Sequence, residues 1–215
     1  MTVRRRVPSV RRVIARVAVL ASGEGTNLQA LLDDPRVGPS VVLALSDRGG
    51  AGALDRARAR GVETVHVDPA AFPDREAFER TVLEVLRERA IDLVVLAGFM
   101  RILGPGFVGA FRGRMLNVHP ALLPAFPGSH AVADALEWGV KVTGVTVHLV
   151  DEEVDHGPVV FQEAVEVWPD DDWDALEARV HEVEHRLLPA AVKALADGRL
   201  RVEGRIVRVL EEAPR

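Results

Sequence analysis

The stretch "VAVLASGEGTNLQALL", Val17 to Leu32, joins an apolar run, a turn with two glycines and the start of an amphipathic segment. The run "VAVLA" contains no polar residue, which is typical of a strand buried on both faces of a parallel sheet. Gly23 and Gly25 follow it, and a helix is expected to begin at about Asn27. This order of strand, glycine turn and helix predicts the first unit of a Rossmann-like sheet.

Three further apolar runs continue the same pattern toward the C-terminus. They are "VVLALSD" (Val41–Asp47), "VETVHV" (Val62–Val67) and "DLVVLAGF" (Asp92–Phe99). Helical patterns separate the runs, and the clearest begins with Asp74 as its N-cap. Its apolar residues recur on one helical face: Phe78, Val82, Val85 and Leu86. We therefore expect parallel strands buried on both faces, with helices on both sides of the sheet.

The pattern changes after Phe99. "MLNVH" (Met115–His119) predicts a fifth strand, and residues 129–139 predict a helix. Residues 142–150 and 158–167 predict two longer strands that pair antiparallel across the acidic linker "DEEVDHG". A long helix is then expected to end near Gly198, with residues 199–210 as a closing edge hairpin. The apolar residues of this long helix have helical spacing: Trp173, Leu176, Val180, Val183 and Leu187.

The chain is thus expected to be one α/β domain over residues 15–215, a mostly parallel sheet with antiparallel strands near its C-terminal end. No stretch between these elements reads as a linker between two domains. The Arg-rich residues 1–14 lack the apolar core of a signal peptide, because Pro8, Arg11 and Arg12 interrupt it. We expect this extension to be disordered or loosely docked, although a basic arm that binds a partner stays possible.

Composition narrows the classes of function. The 215 residues are 48% hydrophobic and carry a net charge of −5, which fits a soluble globular protein and argues against a nucleic-acid partner. The absence of cysteine excludes a disulfide scaffold, a thiolate zinc site and a cysteine nucleophile. No apolar run approaches the roughly 20 residues of a membrane span, so we expect no membrane partner and a cytoplasmic protein.

The glycine turn admits two functional interpretations. Backbone N–H groups at Gly25, Thr26 and Asn27, with a helix dipole behind them, suit a phosphate group. A dinucleotide fingerprint would require a third glycine where Leu28 stands, although Asp47 lies near the position of a ribose-binding acid. A purely structural glycine turn stays possible.

Asn117, His119 and Asp155 form the second candidate site. Residues two apart in a strand point to the same side, so Asn117 and His119 should face one cleft at the carboxyl end of the sheet. Asp155 would lie beside them if the later strands join that sheet. The amide can hold a carbonyl oxygen, and an imidazolium can stabilise the oxyanion formed on attack. We expect the carboxylate to raise the pKa of His119 and keep it charged. This set suits acyl transfer to an amine, although a hydrogen-bonded structural histidine stays possible.

The segment "HEVEH", His181 to His185, matches the letters of the H-E-x-x-H zinc motif. A zinc enzyme would place this motif beside a third ligand and a cleft. Here Pro189 follows within a turn, and no further histidine or late glutamate-bearing helix follows. We therefore expect no metal.

Four of these stretches together resemble the phosphoribosylglycinamide formyltransferase family. They are "VAVLASGEGTNLQALL", "DLVVLAGFMRIL", "LNVHPALLPAFPG" and "VTGVTVHLVDEEVDHGPVV", and the resemblance runs from about Arg16 to Leu200. It implies the formyltransferase fold and transfer of a formyl group from 10-formyltetrahydrofolate to the amine of 5-phosphoribosylglycinamide, a step of de novo purine synthesis. It also implies small-molecule partners and a monomer or homodimer.

The resemblance implies roles for individual residues. Asn117, His119 and Asp155 would be catalytic, and Gly25, Thr26, Asn27 and Glu184 would bind the ribotide. Glu184 gives the "HEVEH" segment a role other than zinc binding. The residues that would bind the folate are Arg75, Met100, Arg101, Ile102, Leu103, Asn117, Asp151, Glu152, Glu153, Val154 and Asp155.

The chain departs from the family pattern at a few positions. Ala121 replaces a common serine, Val132 and Ala133 stand where a histidine and an arginine are expected, and His181 replaces a longer polar side chain. Methionyl-tRNA formyltransferase is an alternative that would need a C-terminal RNA-binding domain and a basic surface. Formyltetrahydrofolate hydrolase would carry an N-terminal regulatory domain. A non-catalytic nucleotide-binding module would need only the glycine turn.

Overall fold

The computed structural model describes residues 15–211, in which six α-helices, two short 3₁₀ helices (Gly38–Ser40 and Pro69–Ala71) and nine strands form one large sheet with helices on both faces and a separate hairpin. The Arg-rich extension lies outside the described residues. The strands are β1 Val17–Leu20, β2 Val41–Ser46, β3 Glu63–His66, β4 Leu93–Leu96, β5 Met115–His119, β6 Val142–Leu149, β7 Val159–Glu166, β8 Leu200–Glu203 and β9 Ile206–Val209. The helices are α1 Thr26–Asp33, α2 Gly52–Ala59, α3 Arg75–Glu88, α4 Pro105–Ala110, α5 Ala131–Glu137 and α6 Trp173–Ala196.

The large sheet has the strand order β3-β2-β1-β4-β5-β6-β7. Strands β1 to β5 pair in parallel, whereas β6 is antiparallel to β5 and β7 is antiparallel to β6. The order in which strands are added to the sheet changes side between β1 and β4. Strands β2 and β3 lie on one side of β1, and the later strands lie on the other. Rossmann-like sheets bind their ligands at such a switch point, beyond the carboxyl ends of the strands.

The sheet separates two apolar cores, and β1 contributes to both of them. Val17 and Val19 face the core under α1, α2, α5 and α6. Ala18 and Leu20 face the opposite core, under α3 and α4. This alternation confirms that β1 is buried on both faces, as the apolar run in the sequence predicts. The same holds for β4, in which all four residues are buried.

The expectation of full burial was wrong for β3. This strand is at one edge of the sheet and pairs only with β2, so Glu63 and His66 are exposed and the two residues between them are half-buried. Charged and polar residues on an edge strand also discourage pairing with another chain. The polar residues Glu63, Thr64 and His66 in "VETVHV" were the local sign of this exposure.

Side-chain caps begin the helices that the sequence predicts most clearly. Asp74 accepts a hydrogen bond of 2.7 Å from the Ala77 amide at the start of α3, and Asp172 accepts one of 2.8 Å from Ala175 at the start of α6. Each cap satisfies an amide that has no partner within its helix. After α6, Gly198 adopts the left-handed conformation (φ 66°) that commonly ends a helix.

The closing hairpin is confirmed as a pair of strands but does not extend the large sheet. Strands β8 and β9 pair only with each other as a two-stranded antiparallel sheet. Leu200, Val207 and Val209 pack against the core beneath α6, which anchors the hairpin. Within residues 15–211, no helix has the length and apolar character needed to cross a membrane.

Gly144 in β6 allows a close approach that positions the chain after β5. A Cβ atom at this position would lie 2.2 Å from the carbonyl oxygen of Glu163 and 2.5 Å from Cδ2 of Leu122. Both distances are shorter than any van der Waals contact, so a larger residue would displace β7 or the segment that follows His119. Gly109, on the exposed side of α4, has open space around the same position.

These two glycines should therefore respond to alanine with opposite sign. Gly144→Ala should lower the free energy of unfolding by about 1–3 kcal/mol, the usual range for overpacking. Gly109→Ala should raise it by about 0.5–1 kcal/mol, because alanine is the better helix former. Urea denaturation of both variants measures the difference, and a shift of the same sign in both would contradict this account of Gly144.

Candidate active site

A hydrogen-bond network holds the ends of β1, β2 and β4 at the switch point. The Ser22 amide donates to the Gly98 carbonyl at 2.9 Å, and the Ser22 hydroxyl donates to Oδ1 of Asp47 at 2.6 Å. The Met100 amide donates to the Ser22 hydroxyl at 2.9 Å, and Arg101 Nε donates to Oδ2 of Asp47 at 2.9 Å. Both carboxylate oxygens of Asp47 are thus engaged, and they fix the segment that begins at Met100. This position therefore does not act as the free acid of a dinucleotide site.

The glycine turn places α1 with its N-terminus open at the switch point. Gly25 is the N-cap, with φ 76° and ψ 31°, and Thr26 begins the helix. A Cβ atom at Gly25 would lie 2.5 Å from Cα of Ala53, so both the backbone conformation and the space require glycine. The unpaired amides of the first turn are suited to a phosphate.

Asn27 links this turn to α6 through Glu184. Its Nδ2 donates to Oε2 of Glu184 at 2.8 Å, and both side chains are buried. Burial raises the pKa of Glu184, an effect that the bond from Asn27 and the proximity of His181 only partly offset. The buried Oδ1 of Asn27 has no partner in the described part of the chain, so it is available to a bound donor.

The "HEVEH" segment is accounted for by this arrangement. Glu184 points to Asn27, and the rings of His181 and His185 stack with centroids 5.7 Å apart. Over residues 15–211, no three histidine or acidic side chains are grouped in the manner of metal ligands. The contribution of this segment to the glycine turn is therefore the hydrogen bond between Glu184 and Asn27.

Asn117, His119 and Asp155 meet at the carboxyl end of β5, as the sequence predicts. Asn117 Nδ2 donates to Oδ1 of Asp155 at 3.2 Å, and His119 Nδ1 lies 3.4 Å from Oδ2. His119 Nε2 lies 2.8 Å from the carbonyl oxygen of Phe126, in the loop that follows β5. The Gly128 amide from the same loop donates to Oδ2 of Asp155 at 2.7 Å. The set thus combines strand β5, the loop between β6 and β7, and the loop of residues 120–130 after β5, called the proline-rich loop below.

His148 is a member of this cluster that the sequence analysis missed. It lies directly opposite Asn117 in the register of β5 and β6. Its Nε2 is 3.1 Å from Asn117 Nδ2 and 3.7 Å from Oδ1 of Asp155, while its Nδ1 is 3.0 Å from the Leu149 carbonyl. The local sequence around His148 looks like any strand, so only the β5–β6 register could have identified it.

The expectation that Asp155 keeps His119 charged was wrong. Burial lowers the pKa of His119 below its ordinary value of 6.5, and it outweighs the opposing effects of Asp155 and the Phe126 carbonyl. The His119 side chain is only 4% exposed, so the imidazolium would lose most of its hydration. The spacing of residues indicated the carboxylate but not the burial, which depends on how the proline-rich loop covers the ring.

Asp155 itself is held in its ionised form. Burial tends to raise its pKa, but the contacts with His148, the Gly128 amide and His119 together lower it below the ordinary value. Its backbone has φ 51°, a left-handed conformation that non-glycine residues adopt rarely. Such conformations are common where a loop must aim a side chain at a site.

Contacts of Asp151 with Glu153 and His156 hold the segment 151–157, which carries Asp155, in a turn. His156 Nδ1 lies 2.8 Å from Oδ2 of Asp151, and the Glu153 amide donates to Oδ1 of Asp151 at 3.1 Å. Glu152 pairs with Arg112, which follows α4. The segment therefore has fixed connections to the rest of the fold, in addition to those of Asp155.

A cavity of about 290 Å³ brings together the other residues for which folate contacts are expected. It is lined by Arg75, Phe78, Glu79, Met100, Arg101, Ile102 and Leu103. Met100 and Ile102 expose apolar side chains there, next to two arginines. Asn117 and residues 151–155, the other predicted folate contacts, are not among the residues that line this cavity.

The departures from the family pattern fit the local packing. Ala121 is fully buried, and its carbonyl accepts a 2.7 Å hydrogen bond from the Thr146 hydroxyl. Val132 packs in the core under α5, and Ala133 is exposed. His181 lies 3.8 Å from Oε2 of Glu184 and is partly exposed beside the glycine turn. Among the described residues, none of these four forms a hydrogen bond or an ion pair with the side chains of Asn117, His119 or Asp155.

Comparison with known proteins gives a consistent result. Residues 15–192 match the formyl transferase family. The chain is 49% identical over 193 residues to phosphoribosylglycinamide formyltransferase of Mycobacterium tuberculosis, covering 89% of each chain. The crystal structure of glycinamide ribonucleotide transformylase 1 from Symbiobacterium toebii superposes with a TM-score of 0.90 at 47% identity, covering 96% of this chain and 99% of that one.

Longer proteins are also similar over this region. The chain is 44% identical over 209 residues to the trifunctional purine biosynthetic protein adenosine-3 of Bos taurus, which is 95% of this chain but only 21% of that protein. It thus spans about a fifth of that relative's length, whereas it spans nearly all of the bacterial ones. The chain belongs to the formyl transferase family and, within it, to the phosphoribosylglycinamide formyltransferases.

Proposed function

We propose that this protein transfers the formyl group of 10-formyltetrahydrofolate to the amine of 5-phosphoribosylglycinamide, producing formylglycinamide ribonucleotide for purine biosynthesis. The observation that carries the proposal is the convergence of Asn117, His119 and Asp155 within hydrogen-bonding or ion-pair distance at the carboxyl end of β5. An amide donor, an imidazole and a carboxylate are the groups that acyl transfer to an amine requires.

In the proposed reaction, the amine nitrogen attacks the formyl carbon and a tetrahedral intermediate forms. Asn117 Nδ2 and the ring of His119 would stabilise its oxyanion, with Asn117 exchanging its contact with Asp155 or His148, and His119 its contact with the Phe126 carbonyl, for the substrate oxygen. The amine loses one proton as the new C–N bond forms, and the ionised Asp155 and the neutral His119 are the acceptors at the site, directly or through a water molecule. N10 of the folate takes up a proton as its bond to the formyl carbon breaks. The products are the formamide and tetrahydrofolate, and both side chains regain their starting states.

With its lowered pKa, His119 would change its charge during this reaction. In the free protein, burial holds the pKa of the ring below its ordinary value and so favours the neutral form at pH 7. A negative charge that develops beside the ring favours its protonated form. The ring would therefore gain its charge as the intermediate forms, and the imidazolium would be better stabilised in the transition state than in the ground state.

The glycine turn and Glu184 would hold the ribotide. The amides at Gly25, Thr26 and Asn27 suit the phosphate, and a ribose hydroxyl can donate to the unpartnered Oδ1 of Asn27. Glu184 is buried beside Asn27 with a raised pKa and can accept from or donate to a second hydroxyl.

The folate would bind along residues 100–103 and 151–155. Formyl transferases in general take 10-formyltetrahydrofolate as co-substrate, and no metal takes part in the proposed reaction. Arg75 and Arg101 line the cavity next to Met100–Leu103 and suit the carboxylates of the folate's glutamate. We further propose one domain over residues 15–215 with small-molecule partners, acting in the cytoplasm as a monomer or homodimer.

Loss of either ionisable catalytic side chain should abolish most turnover. His119→Ala and Asp155→Asn should each lower kcat on the order of 100- to 1,000-fold, because each removes a group that acts in the transition state. The assay follows tetrahydrofolate formation from both substrates without added metal. His66→Ala, at the exposed edge of the sheet, is the control and should keep the wild-type rate.

Near-normal rates in both His119→Ala and Asp155→Asn would refute the mechanism. Turnover with an aminoacyl-tRNA acceptor, and none with the glycinamide ribotide, would instead assign the chain to methionyl-tRNA formylation. Specific ribotide binding without any turnover would favour the nucleotide-binding module.

The pKa of His119 should respond to Asp155 with a defined sign. An NMR titration of the free protein should give His119 a pKa below its ordinary 6.5, because burial disfavours the charged ring. In Asp155→Asn this pKa should fall further, since the carboxylate that raises it has been removed. Asp68→Asn, which removes a carboxylate that does not contribute to the pKa of His119, should leave it unchanged. A wild-type pKa above 6.5 would show that the carboxylate outweighs burial.

The two glycines of the turn should differ in their effect on ribotide binding. Gly25→Ala forces a left-handed alanine against Ala53, a strain of about 1–3 kcal/mol, so KM for the ribotide should rise on the order of tenfold. Gly23→Ala should leave KM nearly unchanged, because its Cβ would meet open space. Steady-state kinetics with saturating folate separate the two variants. Equal KM values in both would argue against phosphate binding at this turn.

A further inference from the structure

An arginine from the C-terminal hairpin holds the loop that carries Asp155. Arg205 lies in the turn between β8 and β9, where Gly204 has φ 60°. Its Nη2 donates to the carbonyl oxygen of His156 at 2.6 Å, and its Nη1 lies 3.0 Å from Nε2 of the His156 ring. One guanidinium thus contacts both the backbone and the side chain of the residue that follows Asp155.

The backbone conformation at Asp155 is an unfavourable one for a residue other than glycine. Asp155 has φ 51°, and a non-glycine residue in the left-handed region costs on the order of 1–3 kcal/mol. The next glycine is also constrained, because a Cβ atom at Gly157 would lie 1.7 Å from the Leu149 carbonyl oxygen. The contacts of the Asp155 carboxylate hold its side chain, and the contact at the His156 carbonyl restrains the adjoining peptide.

The His156 ring connects Arg205 to the other end of the loop. Its Nδ1 is 2.8 Å from Oδ2 of Asp151. A guanidinium can only donate hydrogen bonds, so in the neutral ring that carries its proton on Nδ1, Nε2 can accept from Arg205 and Nδ1 can donate to Asp151. Arg205 Nη1 also lies 3.4 Å from Nδ1. Arg205, His156 and Asp151 therefore form a chain of contacts that spans the loop and leaves Asp155 at its apex.

The hairpin is anchored independently of Arg205. The Leu210 amide donates to the Arg199 carbonyl at 2.8 Å, and Arg199 Nη1 donates to the Leu210 carbonyl at 3.0 Å. Leu200, Val207 and Val209 pack on the core. Replacing Arg205 should therefore leave the hairpin folded and remove only its contact with the loop.

We propose that Arg205 is a positioning residue for the formyl transfer. It holds the peptide after Asp155 so that the carboxylate stays within reach of His119 and Asn117. Arg205 contacts neither of these residues, and it acts only through the conformation of the 151–157 loop. The kinetic part of this inference rests on the proposed function, while the restraint on the loop does not.

The test compares Arg205→Ala, Arg205→Lys and the control Arg208→Ala, which changes an exposed arginine of β9 on the same hairpin. In Arg205→Ala, kcat should fall on the order of 10- to 100-fold, the loss expected when a catalytic group moves by about 1 Å. KM for the ribotide should stay within about twofold, because the glycine turn is unaffected. Arg205→Lys should recover part of kcat, since an ammonium can still donate to the His156 carbonyl.

Hydrogen exchange gives a readout that does not depend on turnover. Amides of residues 151–157 should exchange faster in Arg205→Ala than in wild type and Arg208→Ala, while exchange in β5 and α6 stays the same. If the wild-type protein shows no formyl transfer, the proposed function fails, and exchange alone decides whether Arg205 restrains the loop. Wild-type kcat in Arg205→Ala would overturn the positioning role, and unchanged loop exchange would overturn the restraint. A uniform loss of protection across the fold would show that Arg205 acts on global stability instead.

Discussion

The carboxylate of Asp155 is the point at which three distant parts of the chain meet. Its two oxygens contact Asn117 and His119 from β5 and the Gly128 amide from the proline-rich loop, and His148 from β6 lies within 3.7 Å. A half-buried carboxylate is stable only when its oxygens have such partners. The same contacts therefore keep the acid ionised, close the loop over His119 and align the groups that would surround a reacting carbonyl. The sheet makes these contacts possible. Because β6 pairs antiparallel with β5, it places His148 opposite Asn117, and the loop that follows β6 brings Asp155 back to Asn117 and His119.

Burial and charge act in opposite directions on His119. The ring is almost fully enclosed, and the loss of hydration lowers its pKa more than the neighbouring carboxylate raises it. A ring that is neutral at rest, with a carboxylate beside it, can take up a proton when negative charge forms nearby. This differs from a permanently charged ring, which would stabilise the ground state and the transition state more equally. Under the proposed mechanism, the enclosure of the ring would therefore stabilise the transition state more than the bound substrate.

The sequence predicted the sheet well where local pattern and tertiary environment agree. The apolar runs of β1, β2 and β4, the cap at Asp74 and the β6–β7 hairpin could all be inferred from periodicity and turn residues. The edge position of β3 was indicated only by its polar residues Glu63 and His66, because strand order itself is decided by packing across the whole sheet. Among the site residues, Asn117 and His119 were identified from their spacing and Asp155 from its place at a strand end. His148 was not identified, because the β5–β6 register brings it to Asn117, and neither was Arg205, which contacts the loop of Asp155 from the hairpin; no local pattern records either contact.

The hydrogen bond between Asn27 and Glu184 joins side chains that are 157 residues apart. Asn27 belongs to α1, the first helix of the described residues, and Glu184 belongs to α6, the last of them. All seven strands of the large sheet precede Glu184 in the chain, so during synthesis they can form before this acid is available to Asn27. Until α6 docks against α1, the buried amide of Asn27 lacks its partner. Under the proposed function, a growing chain would therefore acquire its affinity for the ribotide only after α6 has docked.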